Sequence, residues 1–305
     1  MGERTGISWT TSSWNPWIGC TEVSPGCLNC YARELDKRHR YGGATHWGAG
    51  VPRYRTKSWH LPVTWNKKAA AIGERLTVFP SLCDPFDNEV PEQWRSDLFL
   101  LITRTPHLTW LLLTKRVGNV DSMIADVGWR DNLWIGASIV NQEEADRDIP
   151  KLLAVPAAKR FVSYEPALGP ALFGYYLSRT NMPGLRLMPG FRDPLPGLDW
   201  VIVGGESDQG GKKARPFNIE WARSTIAQCK AAGVACFVKQ LGSNTRGWCL
   251  GNGHGEPESY VDCQAYEASE SSQPCSEGFC ACRLDRAGAD PAEWPEDLRV
   301  QEFPT

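Results

Sequence analysis

The chain has 305 residues, 42% hydrophobic and 22% charged, with a net charge of −2. That composition supports a sizeable packed core and excludes wholesale disorder. The near-neutral balance excludes a global electrostatic pull on nucleic acid, and no apolar run approaches the roughly 18 residues of a membrane-spanning helix.

The N-terminus, Met1-Gly-Glu-Arg-Thr, lacks the basic and apolar regions of a secretory signal, so a cytoplasmic location is expected. Eleven cysteines are many for such a compartment. In a reducing cytosol clustered thiols point to metal or catalysis, and an odd count argues against full disulfide pairing.

In chain order, an early strand is expected near Ile7–Trp9 and a first helix over 29–40. Short, nearly continuous apolar runs predict strands over 76–80, 108–113, 133–137, 160–164, 199–203 and 234–238. Such runs mark strands buried on both faces of a parallel sheet. Helices fill the gaps at 91–103, opened by Pro91, and at 118–127 and 142–153. Another covers 219–232, between Asn218 as N-cap and Gly233 as C′ glycine. Residues 170–198, rich in Pro and Gly, read as a long loop. Residues 243–290, rich in Gly, Ser, Glu and Cys, read as an excursion.

The βα rhythm predicts an α/β fold: a partial or full TIM-like barrel, or a doubly wound open sheet, with function at the carboxyl ends of the strands. Residues 1–242 would form the barrel and 243–305 an irregular Cys-rich extension packed on it. The strand ends lead into Ser81, Cys83 and Asp84; Thr114, Lys115 and Arg116; Ser138 and Asn141; Glu165; Gly204, Gly205 and Glu206; and Lys239. On one rim these would surround a polar pocket. For Glu165 and Lys239 the main competitor is a structural ion pair across the barrel.

The strongest motif is Cys20-Thr-Glu-Val-Ser-Pro-Gly-Cys27-Leu-Asn-Cys30-Tyr31, three thiols before the first helix. Three cysteines without a fourth are incomplete for structural zinc. For a [4Fe–4S] cluster they bind three irons and leave the fourth open. A zinc loop or a redox pair is the competing reading.

This arrangement resembles the radical S-adenosylmethionine superfamily. Its usual spacing is Cys-x3-Cys-x2-Cys, whereas here it is Cys-x6-Cys-x2-Cys. The segments ISWTTSSWNPWIGCTEVSPGCLNCYA, VFPSLCDPF, LLLTKR, FVSYEP, DWVIVGGES, FVKQLG and LRVQEFP are similar, in this order, to a phage- and prophage-associated family of three-cysteine-motif proteins of unknown function, regarded as radical-SAM-like.

The resemblance implies that Cys20, Cys27 and Cys30 hold the cluster and that S-adenosylmethionine is cleaved to a 5′-deoxyadenosyl radical. The substrate class would be a nucleotide or nucleic-acid base. A reductant such as flavodoxin or ferredoxin would be a partner, and the cytoplasm of a bacterium or phage-infected cell the setting. Tyr31, Ser81, Asp84, Thr114, Lys115, Ser138, Gly204 and Gly205 become candidate cofactor contacts. Glu165, Glu206 and Lys239 become candidate catalytic residues.

Four further cysteines, Cys263, Cys275, Cys280 and Cys282, suggest a second metal site, with free thiols as the alternative. Cys229 and Cys236 read as ordinary buried cysteines. Trp9, Trp14 and Trp17 shield the cluster, stack on a base or pack the core. A basic–aromatic stretch from Arg33 to Lys68 suits nucleic acid or a solvated surface. A second function class is therefore a non-catalytic, metal-stabilised protein that binds nucleic acid or a partner.

Overall fold

The computed structural model describes residues 4–124, 128–177, 197–246, 285 and 287–304. In chain order the elements are β1 (Ser12–Ser13), β2 (Trp17–Ile18), α1 (Tyr31–His39), β3 (Tyr54–Arg55), α2 (Leu61–Ile72), β4 (Leu76–Phe79), α3 (Glu92–Arg104) and β5 (Leu108–Thr114). Then come α4 (Val120–Ile124), β6 (Leu133–Ile139), α5 (Gln142–Ala154), β7 (Lys159–Tyr164), α6 (Gly174–Leu177), β8 (Trp200–Gly204), β9 (Phe217–Asn218), α7 (Ile219–Ala232), β10 (Ala235–Gln240) and β11 (Thr245–Arg246).

Seven strands form one sheet in the order β1-β4-β5-β6-β7-β8-β10, every pair parallel. Strand order follows chain order, as in a TIM-like barrel, and the sheet makes a half-barrel flanked by helices. β2 and β3 form a separate antiparallel pair beside β1.

Side chains alternate across each strand, so one sequence run feeds two cores. On the helix side lie Leu108, Trp110 and Leu112 of β5, Ile135 and Ala137 of β6, and Val201 and Val203 of β8, packed with Leu98 and Ile102 of α3 and Ile149 and Leu152 of α5. On the lumen side Trp9, Phe79, Leu111, Phe161, Trp200, Ile202 and Phe237 form a second, aromatic-rich cluster. The lumen is thus a filled floor below a mouth at the carboxyl ends of the strands.

Several boundaries differ from the expectations. The first strand is Ser12–Ser13, not Ile7–Trp9. Trp9 instead drops into the lumen floor, 4.4 Å from Phe79 by ring centroids. The first helix starts at Tyr31 with Cys30 as its N-cap. Pro91 is the N-cap of α3 rather than its first residue. The expected helix over 118–127 is a 3-10 turn (Val117–Asn119) followed by α4, and 125–127 lie outside the described residues. α7 fits its expected span, with the Asn218 side chain accepting from the Glu220 N–H and Gly233 in the left-handed region. Helix α2 and the β2–β3 pair were not anticipated.

Within the region expected to be a long loop, Gly174–Leu177 is a short helix, and 178–196 lie outside the described residues. Of the C-terminal segment, β11 pairs with β9. Residues near the C-terminus also lie along β10: Gln301 bridges Phe237, and the Val238 N–H donates to the Val300 carbonyl at 2.8 Å.

Candidate functional site

Strand parity decides which rim residues face the mouth. In the register of the sheet, Leu111 and Leu113 lie opposite Trp134 and Gly136, and Gly136 and Ser138 lie opposite Phe161 and Ser163. Continuing these lumen-facing rows upward brings Lys115, Ser138 and Glu165 to the mouth. The Lys115 ammonium donates to Ser138 Oγ. A register shift between Val238 and Gln240 makes a bulge at Lys239. Bulges re-aim side chains, and this one sends Lys239 Nζ to Glu165 Oε1, past the bare Gly204. The ion pair across the barrel weighed from the sequence is therefore formed.

The cysteine loop, 20–30, lies over this mouth. The Ser24 hydroxyl accepts from the Gly26 N–H at 3.0 Å and starts a 3-10 turn over Pro25–Cys27. Gly26 sits so close to the rim that a Cβ there would meet Val140 Cγ1 at 2.6 Å and Lys115 Cε at 3.4 Å. Tyr31 hydrogen-bonds from its hydroxyl to the Ser81 carbonyl at 2.7 Å, tying the start of α1 to the end of β4.

Cys20, Cys27 and Cys30 are free and half-buried. Burial raises the Cys30 thiol; backbone N–H groups of Arg33 and Ala32 and the Lys115 charge pull the other way, and nearby Cys27 adds to the rise. Burial, with Asp84, pushes Cys20 up to about 12. Cys83 stands beside Cys20 and is raised further by burial. Around Cys20, Asp84 accepts from Thr114 Oγ1 at 2.7 Å and from Arg116 Nη1 at 2.8 Å, and that same Arg116 nitrogen reaches Cys20 Sγ at 3.6 Å. Behind it, fully buried Arg53 pairs with Asp87 at 2.7 Å and donates to Thr21 Oγ1 at 2.6 Å.

Glu206 holds the loop from the far side. Its carboxylate accepts from Arg215 Nη2 at 2.6 Å, Arg215 Nε at 3.0 Å, the Arg215 N–H at 2.9 Å and Asn29 Nδ2 at 2.9 Å. Arg215 Nη1 in turn donates to the Pro25 carbonyl at 2.8 Å. Burial opposes ionisation, but the hydrogen bonds from Arg215 and Asn29 prevail and hold this carboxyl below its ordinary value. Gly205 is required here, since a Cβ would lie 2.4 Å from the Leu241 carbonyl oxygen. The Gly204-Gly205-Glu206 element thus clasps the cysteine loop, which follows β2, to the loop after β8.

The mouth brings together Tyr31, Ser81, Lys115, Ser138, Glu165 and Lys239 beneath the cysteine loop. Asp84 and Thr114 are committed to each other and to Arg116, beside Cys20. Glu206 has its oxygens occupied by Arg215 and Asn29. Asn141 is the N-cap of α5, accepting from the Glu144 N–H at 3.0 Å.

Trp9, Trp14 and Trp17 are fully buried, which removes them as stacking surfaces. Of the basic stretch, Arg33 pairs with Glu22, Arg53 with Asp87, and Arg55 with Asp97 while lying 4.4 Å over Trp59. Cys229 and Cys236 are buried free thiols. Cys263, Cys275, Cys280 and Cys282 lie outside the described residues. Sequence reasoning missed Arg215, Asn29 and Asp87, and weighed Arg53 only as part of the basic stretch; their partners are remote in sequence and no local pattern marks them.

Among the described residues no three Cys, His, Asp or Glu side chains converge as ligands of one metal ion. A cuboidal cluster asks less convergence, because each thiolate meets a different iron. Cys20, Cys27 and Cys30, free on one loop, are the residues that would hold such a group. Among the described residues no helix is long and apolar enough to cross a membrane.

Fold and site together define an α/β half-barrel protein with a thiol-bearing loop over the carboxyl ends of its strands. The chain belongs to the family described as "Protein of unknown function (DUF5131)", whose model matches residues 4–273. No curated protein and no solved structure matches the chain.

Proposed function

We propose that this protein is a radical S-adenosylmethionine enzyme of phage-associated type, acting on a nucleotide or nucleic-acid base. The observation that carries the reading is the position of Cys20, Cys27 and Cys30 on a loop laid over the half-barrel mouth, with the Lys115 side chain against Gly26 of that loop. Those thiolates would hold a [4Fe–4S] cluster. When bound, the cluster supplies one-electron cleavage of S-adenosylmethionine to methionine and a 5′-deoxyadenosyl radical, which takes hydrogen from the substrate.

The chain's own residues provide the setting. Lys115, hydrogen-bonded to Ser138, would present its ammonium to the carboxylate of a bound cofactor. Arg116 neutralises Asp84 beside Cys20, so that a thiolate forms there against one fewer uncompensated negative charge. The aromatic floor closes the lumen from below and keeps water out of the site. Glu165 and Lys239 line the wall as a neutralised pair that a substrate's polar groups can enter. The substrate class rests on the resemblance to phage-associated proteins and on Arg38, His39, Arg40 and Lys57, which stay exposed.

Anaerobic reconstitution with iron and sulfide tests the proposal. About four irons and four sulfides per chain are expected, with release of 5′-deoxyadenosine under dithionite. A variant carrying Cys27→Ala and Cys30→Ala is expected to lose both. Equal release from the two proteins, or zinc in place of iron, would refute it.

A further inference from the structure

Cys20 is held differently from the other two thiols. Near Cys27 and Cys30, Asn29 donates to Glu206 and the Pro25 carbonyl accepts from Arg215. The residues on either side of Cys20 lie instead against Arg53, whose side chain is fully buried. Gly19, before Cys20, has a φ of +119° and passes so close that a Cβ would meet Arg53 Cδ at 2.8 Å and the His46 carbonyl oxygen at 2.2 Å. Thr21, after it, accepts from Arg53 Nη2 at 2.6 Å through its hydroxyl. Cys20 itself bridges Trp47, and its carbonyl accepts from the Gly48 N–H at 2.9 Å. The Gly48 carbonyl accepts in turn from Arg53 Nη1 at 3.0 Å.

A buried guanidinium is costly unless its charge is met and its donors are used. Asp87 meets the charge, accepting from Arg53 Nε at 2.8 Å, and its other oxygen lies 3.7 Å from Arg116 Nη2. That Arg116 nitrogen donates to the Thr21 carbonyl at 2.8 Å, while Arg116 Nη1 reaches Cys20 Sγ. Main chain and side chain around Cys20 are thus fixed by one connected set. Charge balance alone would ask only for the Asp87 pair; the bonds to Thr21 and Gly48 are directed at the backbone that carries Cys20. A planar fork of N–H groups can grip several acceptors in fixed directions at once, which a lysine ammonium on its flexible stem cannot match.

We infer that Arg53 is a positioning residue: it sets the place of Cys20, separately from the Glu206–Arg215 clasp at the Cys27–Cys30 end of the loop. The loop then has two anchors, one for each end of its thiol set. The purpose of this anchor rests on the reading above, in which Cys20 is a cluster ligand. Three thiolates that must meet one rigid group bind it best when their places are fixed beforehand.

The experiment follows iodoacetamide alkylation of each cysteine by mass spectrometry in the metal-free full chain, at one fixed pH. It compares wild type with Thr21→Val, Thr21→Ser and Arg53→Lys. Thr21→Val keeps the shape of the side chain and removes the hydroxyl that Arg53 grips. Cys20 is expected to react about five- to tenfold faster in it, the effect of one lost hydrogen bond on local opening. Cys27 and Cys30 are expected to keep their wild-type rates, and Thr21→Ser to return Cys20 to its own. Arg53→Lys, which keeps a charge beside Asp87 and loses the fork, is expected to free Cys20 further; should it fail to fold, the Thr21 variants decide alone. An unchanged Cys20 rate in Thr21→Val overturns the assignment. So does an equal rise at all three thiols, which general loosening would give, or a Thr21→Ser variant as fast as Thr21→Val. In reconstituted chains, iron is expected to leave Thr21→Val faster than wild type under a chelator, and equal loss rates overturn the positioning role. Wild-type chain that takes up no iron would overturn the radical reading instead, leaving the alkylation rates to judge the anchor.

Discussion

At the scale of single residues, Glu206 shows how a side chain at a strand end can hold a remote loop in place. Replacing it with Ala leaves the Arg215 guanidinium and the Asn29 amide without their acceptor. The expected cost is about 2–4 kcal/mol in chemical denaturation. Because Arg215 and Asn29 hold Pro25–Asn29, alkylation of Cys27 and Cys30 by iodoacetamide in the metal-free chain should accelerate several-fold. Cys229 and Cys236, buried elsewhere, should keep their parental rates; a uniform rise would mean general loosening instead.

The pH dependence follows from the lowered Glu206 carboxyl. A depressed folded value gives stability that is fully present above the ordinary 4.5 and is lost as pH falls through the folded value. The stability gap between wild type and Glu206→Ala should therefore be widest near neutrality and shrink in the acid range below 4.5. A gap that widened on acidification would contradict the clasp. Lys239 and Glu165 teach the complementary lesson. Their adjacency to buried strands was legible, but their pairing depends on a bulge in β10 that no residue type announces.

At the scale of elements, the six principal strands were readable because both faces are buried, which forces continuous apolar runs. What alternation adds is the division of each run into a helix face and a lumen face. Gly136 of β6 depends on that division. A Cβ there would lie 2.4 Å from the Phe161 ring. Gly136→Ala is expected to cost roughly 2–3 kcal/mol in urea unfolding. Adding Phe161→Leu should recover part of that loss, since the clash is with the ring itself; no recovery would place the strain elsewhere. β1 escaped notice because two residues carry no period, and Ile7–Trp9 mimic a strand while packing as a turn into the floor. Asn141, placed from the sequence on the rim of the pocket, is an N-cap with Glu144 three positions later, a pattern the sequence contained.

At the scale of the molecule, the half-barrel leaves β10 at the edge of its sheet, and the C-terminal residues lie along it. The Trp200 indole donates to the Glu302 carbonyl at 2.8 Å, and Phe303 rests 5.3 Å from Phe237 and 5.5 Å from Trp200. A chain ending at Leu298 is expected to lose about 3 kcal/mol of stability and to gain a tendency to aggregate through the bared edge. A thermal melt with light scattering would show this, and an unchanged melting temperature would count against it.

The sequence by itself determined the α/β rhythm, the parallel class of the sheet and the thiol loop before the first helix, because burial periodicity and residue chemistry are local properties. Only the tertiary structure decided that the loop lies across the mouth and that Glu206, a candidate catalytic residue, accepts from Arg215 and Asn29 and so clasps that loop. It also decided that Arg33, Arg53 and Arg55 of the basic stretch are held in ion pairs. Each of those facts joins residues far apart along the chain, and their meeting is set by how strands register and loops return.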